Sequence, residues 1–331
     1  MKRGTSAEVV FFGKLPSRGD FVRNRDGDHG IDRIDRWLTQ GLERLAREPR
    51  WKEVYDSAPQ ASFAFLGPRN RQVLAGNLTA GTDASGRRFP FVMAARFEVD
   101  SPQAFLPRAP LALQDLWQQL ATFSDAAFQA DDAVPTLNQA GAARPEVCTD
   151  ASAHDAHWHR LLSDTTLGRL QHQLQLADAA VDLRLTLPGL GYLLQPVPAS
   201  GVHALERGVR LPLPAAPPLQ IPCAALWMDL IGPFIERGDF EVALFLPRRA
   251  RWMAPCVAIS FSGNSPAMLH ALLDPQQINE HFIDLRAPEW AAHAAESGPH
   301  AARLGAYLQQ PELSMAVLRR TFFETFIGTR P

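Results

Sequence analysis

Glu8-Val9-Val10-Phe11-Phe12-Gly13-Lys14-Leu15-Pro16-Ser17-Arg18-Gly19-Asp20-Phe21-Val22 joins a strand-like apolar run to a loop. Glu8 to Phe12 has the length and branched or aromatic content of a buried strand that ends at Gly13. Pro16 and Gly19 then force a turn, so the segment from Gly13 to Phe21 is expected on a loop. Outward from it, Ile31, Ile34, Trp37, Leu38, Leu42 and Leu45 recur at helical spacing, with Arg33, Arg36, Glu43, Arg44 and Arg47 left for solvent. This helix should end near Pro49. Ser62 to Leu66, Gln72 to Leu78 and Phe89 to Val99 read as strands between Gly, Pro and Asp turns. Leu111, Leu116, Trp117, Leu120 and Phe123 predict a second amphipathic helix.

Further along, the stretch Asp125 to Asp155 weakens the pattern, and Trp158 to Leu176 resumes helical spacing. Pro196 to Pro222, with Pro212, Pro214, Pro217 and Pro218, has the composition of an extended linker or a long surface loop. Phe240 to Leu246 and Cys256 to Phe261 read as strands, Ser265 to Leu273 as a short helix, and Pro311 to Phe326 again as helix. The expected organisation is a mixed strand and helix unit over 1–135, a helical and Pro-rich connecting region over 136–222, and an α/β segment over 223–331 that completes or flanks the sheet.

The 331 residues are 46% hydrophobic, ample for a buried core, and the formal net charge of −2 lacks the basic excess of a nucleic-acid footprint. Lys2 and Arg3 precede only a short apolar run interrupted by Gly13 and Lys14, so neither a signal peptide nor a membrane insertion is indicated and the cytoplasm is the expected location. Cys148, Cys223 and Cys256 are too few and too scattered for a disulfide framework or a zinc set and are expected as small buried side chains.

Several motifs fall short of the chemistry they suggest. Gly13-Lys14 precedes Ser17 and Gly19 in the wrong order for a phosphate-binding loop, and Pro16 removes an amide donor. Arg18-Gly19-Asp20 spells an adhesion tripeptide without the secretory signal that would give it a role. Asn24 to Gly30 resembles a calcium loop but offers His29 and Asp35 where glycine and glutamate are required, so an Asp-rich turn before a helix is expected. His154, His157 and His159 do not form a known ligand spacing and are read as a partly exposed helix start. Ser260 to Ser265 lacks the Gly-x-Ser-x-Gly order of a nucleophile elbow, and Ser265 before Pro266 is read as a helix cap. No catalytic residue, cofactor or metal site is assigned.

Asp83-Ala84-Ser85-Gly86-Arg87-Arg88-Phe89-Pro90 is a turn in which Gly86 can take a positive φ and bring Arg87 beside Asp83. Arg87 is expected to pair with Asp83 or Asp20, either fixing the loop internally or meeting a partner. Lys14 and Arg18 are read as an exposed basic tip, solvated or in contact with a partner. Phe89, Phe91 and Trp37 are expected in the core.

Four blocks in order, Phe12 to Val22, Asp35-Arg36-Trp37-Leu38 with Gly41-Leu42, Trp51 to Phe65, and Asp83 to Pro90, resemble the opening of the TagF family, also called ImpM, of bacterial type VI secretion. The resemblance implies a layered αβα sandwich with a central mixed β-sheet. Ala225-Leu226-Trp227-Met228 is then the counterpart of a family strand. The resemblance also implies a non-enzymatic cytoplasmic regulator, mostly a repressor, that binds an Fha-type forkhead-associated scaffold. The residues carried over to a partner-binding surface are Gly13, Lys14, Leu15, Pro16, Arg18, Gly19, Asp20, Phe21, Asp83, Gly86 and Arg87. A phosphate- or small-molecule-responsive enzyme or sensor, and a structural secretion subunit, are the alternatives.

Overall fold

A computed structural model describes residues 4–24, 29–201, 205–248, 253–274, 276–294 and 299–328. Its strands in chain order are β1 (Thr5–Ser6), β2 (Glu8–Gly13), β3 (Val22–Arg23), β4 (Gln60–Leu66), β5 (Gln72–Thr79), β6 (Phe91–Glu98), β7 (Glu146–Val147), β8 (Gly208–Pro212), β9 (Val242–Arg248), β10 (Cys256–Ser260) and β11 (Phe282–Asp284). Apart from the small β1–β7 pair, they form one nine-stranded sheet in the order β11-β8-β10-β9-β4-β5-β6-β2-β3. Its pairs are antiparallel except β8 with β11, which makes the sheet mixed. Residues 8–98 and 208–284 meet where β4 pairs with β9, from Gln60 opposite Arg248 to Leu66 opposite Val242.

Because side chains alternate across a strand, each apolar run feeds two cores. Val10, Phe12, Phe63, Phe65, Val92 and Phe245 face the helices His29–Leu45 and Pro266–Leu273. Val9, Phe11, Phe91, Met93, Leu244 and Val257 face the opposite core, which holds Ala109–Gln129 and Pro217–Ile235. The result is the expected αβα sandwich. Ile31, Ile34, Trp37, Leu38 and Leu45 are all buried, and Trp37 packs edge-on to Phe65 at 5.1 Å while its indole N–H donates to the Ser265 carbonyl at 3.3 Å. On the other side the Trp117 N–H donates to the Phe63 carbonyl at 2.8 Å, and the Asn77 amide donates to the Trp117 carbonyl at 2.9 Å. These bonds fix helix against sheet while satisfying groups that burial would otherwise leave bare.

The Pro-rich stretch differs from the expected linker. It contains β8, ending at Pro212, and the start of the helix Pro217–Ile235. Proline costs nothing in the first helical turn, where its missing N–H would have no partner, and Pro217 and Pro218 sit there. Ala225 to Met228 are therefore helical rather than a strand, a correction to the resemblance. From Cys223 to Ile235 every residue but Pro233 is buried, so the apolar run has neither strand nor amphipathic periodicity to display. This is the one helix among the described residues long and apolar enough to cross a membrane, and it is a core element of the fold. Its Trp227 N–H donates to the Pro212 carbonyl at 2.8 Å and pins the helix to the end of β8.

Other differences are smaller. The span Trp158 to Leu176 breaks into Ser152–Asp164 and Leu167–Gln175, with Thr166 capping the second helix by accepting the Arg169 N–H at 3.3 Å. The weak stretch after Asp125 holds a helix, Val134–Ala142. The final helix begins at Met315, capped by Ser314, so Pro311 lies outside it.

Candidate functional site

Gly13 ends β2 with φ +135°, and a Cβ there would lie 2.1 Å from the Pro90 carbonyl oxygen. Only glycine fits, and the turn it permits sends the next side chain inward. Lys14 is consequently buried rather than part of a basic tip, and its Nζ donates to Asp83 Oδ2 at 2.9 Å. Leu15 beside it is fully buried.

Asp83 organises the facing turn. Its carboxylate accepts from Lys14, from Arg87 Nε at 2.7 Å, and from the N–H groups of Ser85 and Arg87 at 2.9 and 3.0 Å. Gly86, at φ +76°, closes the turn with its N–H on the Asp83 carbonyl at 2.9 Å. Burial alone would raise the pKa of Asp83, but the hydrogen bonds from Lys14, Arg87 and Ser85 outweigh it and hold the carboxyl well below the usual carboxylate range.

The two loops are clasped together. Arg87 Nη2 donates to the Gly19 carbonyl at 2.7 Å, and the Ala84 N–H donates to the Arg18 carbonyl at 2.8 Å. Arg87 thus pairs with Asp83 and reaches Gly19, not Asp20. Phe21 stacks on Phe12 at 5.4 Å and meets Phe89 edge-on at 4.9 Å, with Lys14 Nζ 4.9 Å from its ring centre. Below them the Tyr55 hydroxyl donates to the Gly81 carbonyl and accepts the Gly81 N–H, both at 2.9 Å. A Cβ on Gly81 would come within 2.4 Å of the Lys14 carbonyl oxygen. Burial pushes the Tyr55 hydroxyl far above its ordinary range, so it acts as a neutral brace.

The surface of this assembly is made by Pro16, Gly19, Asp20, Phe21 and Ala84 to Arg87, with Arg18 half-buried at its side. The Arg18 side chain makes, among the described residues, a long 3.8 Å contact to Asp132, with 43% of it exposed. Of the residues expected at a contact surface, Gly13, Lys14, Leu15 and Asp83 lie beneath it; Pro16, Arg18, Gly19, Asp20, Phe21, Gly86 and Arg87 are on it. The Lys14–Asp83 pair and the Tyr55 brace escaped the sequence reading. Its one signal was the position of Lys14 between a glycine and an apolar leucine.

The remaining candidates have structural surroundings. Asn24 holds the edge of β2, donating to the Val9 carbonyl at 2.7 Å and accepting the Phe11 N–H at 3.1 Å; Arg25 to Asp28 of the expected Asp-rich turn lie outside the described residues. His154, His157 and His159 are in the helix Ser152–Asp164, and among the described residues no group of three or more His, Cys, Asp or Glu could hold a metal. Ser265 stands at the N-cap position of its helix, but its side chain makes no cap bond there. Cys223 and Cys256 are buried and Cys148 half-buried, all free; burial pushes the Cys256 thiol up to about 12.

A second charged network lies far from the loops. Asp229, buried in the helix Pro217–Ile235, accepts from Arg108 Nη1 at 2.7 Å and from Arg319 Nε, while Arg108 lies 4.9 Å from the Trp158 ring centre. It fastens the last helix to the centre of the fold across sequence separations that no local pattern reveals.

No curated protein matches the chain. Among solved structures it is similar to PA0076 from Pseudomonas aeruginosa PAO1, at 15% identity over 81% of this chain and 94% of that one, with a TM-score of 0.46. Residues 10–143, which contain both clasped loops, match the TagF N-terminal domain, described as type VI secretion system-associated. Over residues 10–143 the chain thus carries a match to the TagF N-terminal domain, a family described as type VI secretion system-associated.

Proposed function

We propose that the protein is a non-enzymatic, cytoplasmic accessory factor that represses type VI secretion assembly post-translationally by binding an Fha-type forkhead-associated scaffold. The observation that supports this reading is the exposed tip formed by Pro16 to Phe21 and Ala84 to Arg87, held from below by Lys14, Asp83 and Tyr55. A tip fixed before binding loses little conformational freedom when a partner docks. Its exposed groups are mixed: an arginine at its side, an aspartate, an aromatic edge and backbone turns. Such a surface suits recognition of a protein, with Arg18 available to a carboxylate or phosphate. The action is stoichiometric: each copy occupies one scaffold and withholds it from assembly.

The test is a titration of the purified protein against the scaffold encoded with the same secretion system. One-to-one saturation is expected, weakened about tenfold or more by Arg18→Ala combined with Phe21→Ser. Absence of binding, or equal binding by the variant, sinks the reading.

A further inference from the structure

Away from the clasped loops, the helices Ser152–Asp164 and Leu167–Gln175, the start of Pro217–Ile235 and the first residue of Met315–Phe326 line an open-mouthed cavity of about 280 Å³. Its floor is apolar and buried, made by Leu162, Leu170, Cys223, Leu226 and Met315. Leu219 stands at its mouth, 39% exposed. The rim is polar and mainly basic, with Arg160, Arg169 and His157 exposed and Asp164 the one acidic group lining it.

Arg108, Arg210, Arg286 and Arg319 each hold a carboxylate. Among the described residues, the side chains of Arg160 and Arg169 have no hydrogen bond or ion pair, and Asp164, one turn from Arg160, is not within ion-pair distance of it. An apolar recess with a few convergent charged groups at its mouth is the usual form of a site for an amphiphilic ligand.

We propose that this cavity binds a single-chain lipid anion of the fatty carboxylate class, its acyl chain on the leucine and methionine floor and its head group between Arg160 and Arg169. The chain gains by leaving water, and the planar guanidinium groups match a carboxylate. Cavity size limits the ligand to one medium-length chain. The site is separate from the clasped loops, so it stands or falls independently of scaffold binding.

The test is calorimetric titration of the full chain with decanoate below its micelle concentration, alongside decanol and decyltrimethylammonium. Decanoate is expected to saturate at one per chain and to bind about tenfold or more tightly than either analogue. Arg160→Ala with Arg169→Ala should remove that preference while leaving decanol binding unchanged, and Leu219→Glu at the exposed mouth should weaken decanoate and decanol alike. Equal affinity for the three compounds, undiminished decanoate binding by the double variant, or no decanoate binding would overturn the proposal. So would decanoate failing where an acidic amphipathic peptide binds, an outcome that would give the cavity to a protein partner.

Discussion

Lys14 and Asp83, 69 positions apart, form a buried 2.9 Å ion pair beneath the loop that carries Arg18, Gly19 and Asp20. The pair converts two loops into one body, because Asp83 also collects Arg87, and Arg87 in turn grips the Gly19 carbonyl. Removing one partner from a buried pair leaves the other uncompensated. Lys14→Met and Asp83→Asn should each lower Tm by roughly 5 °C, read by differential scanning calorimetry.

Asp83 also predicts an acid sensitivity. Its folded pKa is depressed, so its stabilising contribution is fully present above the unfolded carboxylate value of about 4 and is lost as pH falls below it toward the folded value. Urea unfolding at pH 5 and pH 3 should show a smaller loss on acidification in Asp83→Asn than in wild type. An identical loss would place the acid sensitivity in other carboxylates.

Arg18 and Arg87 should separate cleanly. The Arg18 side chain has, among the described residues, a long surface contact, so Arg18→Ala should leave Tm within about 1 °C of wild type. Arg87→Ala breaks bonds to Asp83 and Gly19 and should lower Tm by roughly 2–4 °C without unfolding the domain.

At Gly13, alanine would combine an unfavourable φ with a Cβ 2.1 Å from the Pro90 oxygen. Gly13→Ala should cost about 2–3 kcal/mol in chemical denaturation.

The Arg108–Asp229–Arg319 network should be costly to break. Asp229→Ala leaves Arg108 in a buried site without this carboxylate and should destabilise the protein by about 3–5 kcal/mol, measured in the same way.

Helices were legible in the sequence where one face meets solvent, and strands where apolar runs are bounded by turn residues. His29–Leu45 displays its helical stripe because Arg33, Arg36 and Glu43 face outward. Strands β2, β4, β5 and β6 were marked by branched and aromatic runs between turn residues. Pro217–Ile235 was not legible, since burial on nearly all sides erases periodicity and its prolines imitate a linker. Strand β8 was hidden for a related reason: Pro212 ends it and the following prolines set the tone of the segment.

At the candidate site, the local part of the geometry could be read. Asp83, Gly86 and Arg87 lie within one turn, and their spacing announces the Asp83–Arg87 bond. The Lys14–Asp83 pair depends on how β2 and the turn before β6 come together, which spacing does not encode. Lysine is rarely buried without a partner, so the sequence alone favoured an exposed tip. The cavity beside Arg160 and Arg169 is likewise assembled from several helices distant in sequence and appears only in the folded chain.

The tip above Lys14 and Asp83 is the proposed docking site for the scaffold. Amide hydrogen exchange of the protein with and without the Fha-type scaffold tests it most directly. The account predicts protection confined to residues 16–21 and 84–87, absent in the Arg18→Ala, Phe21→Ser variant. Protection elsewhere with these loops unchanged, or no change anywhere at saturating scaffold, would contradict it.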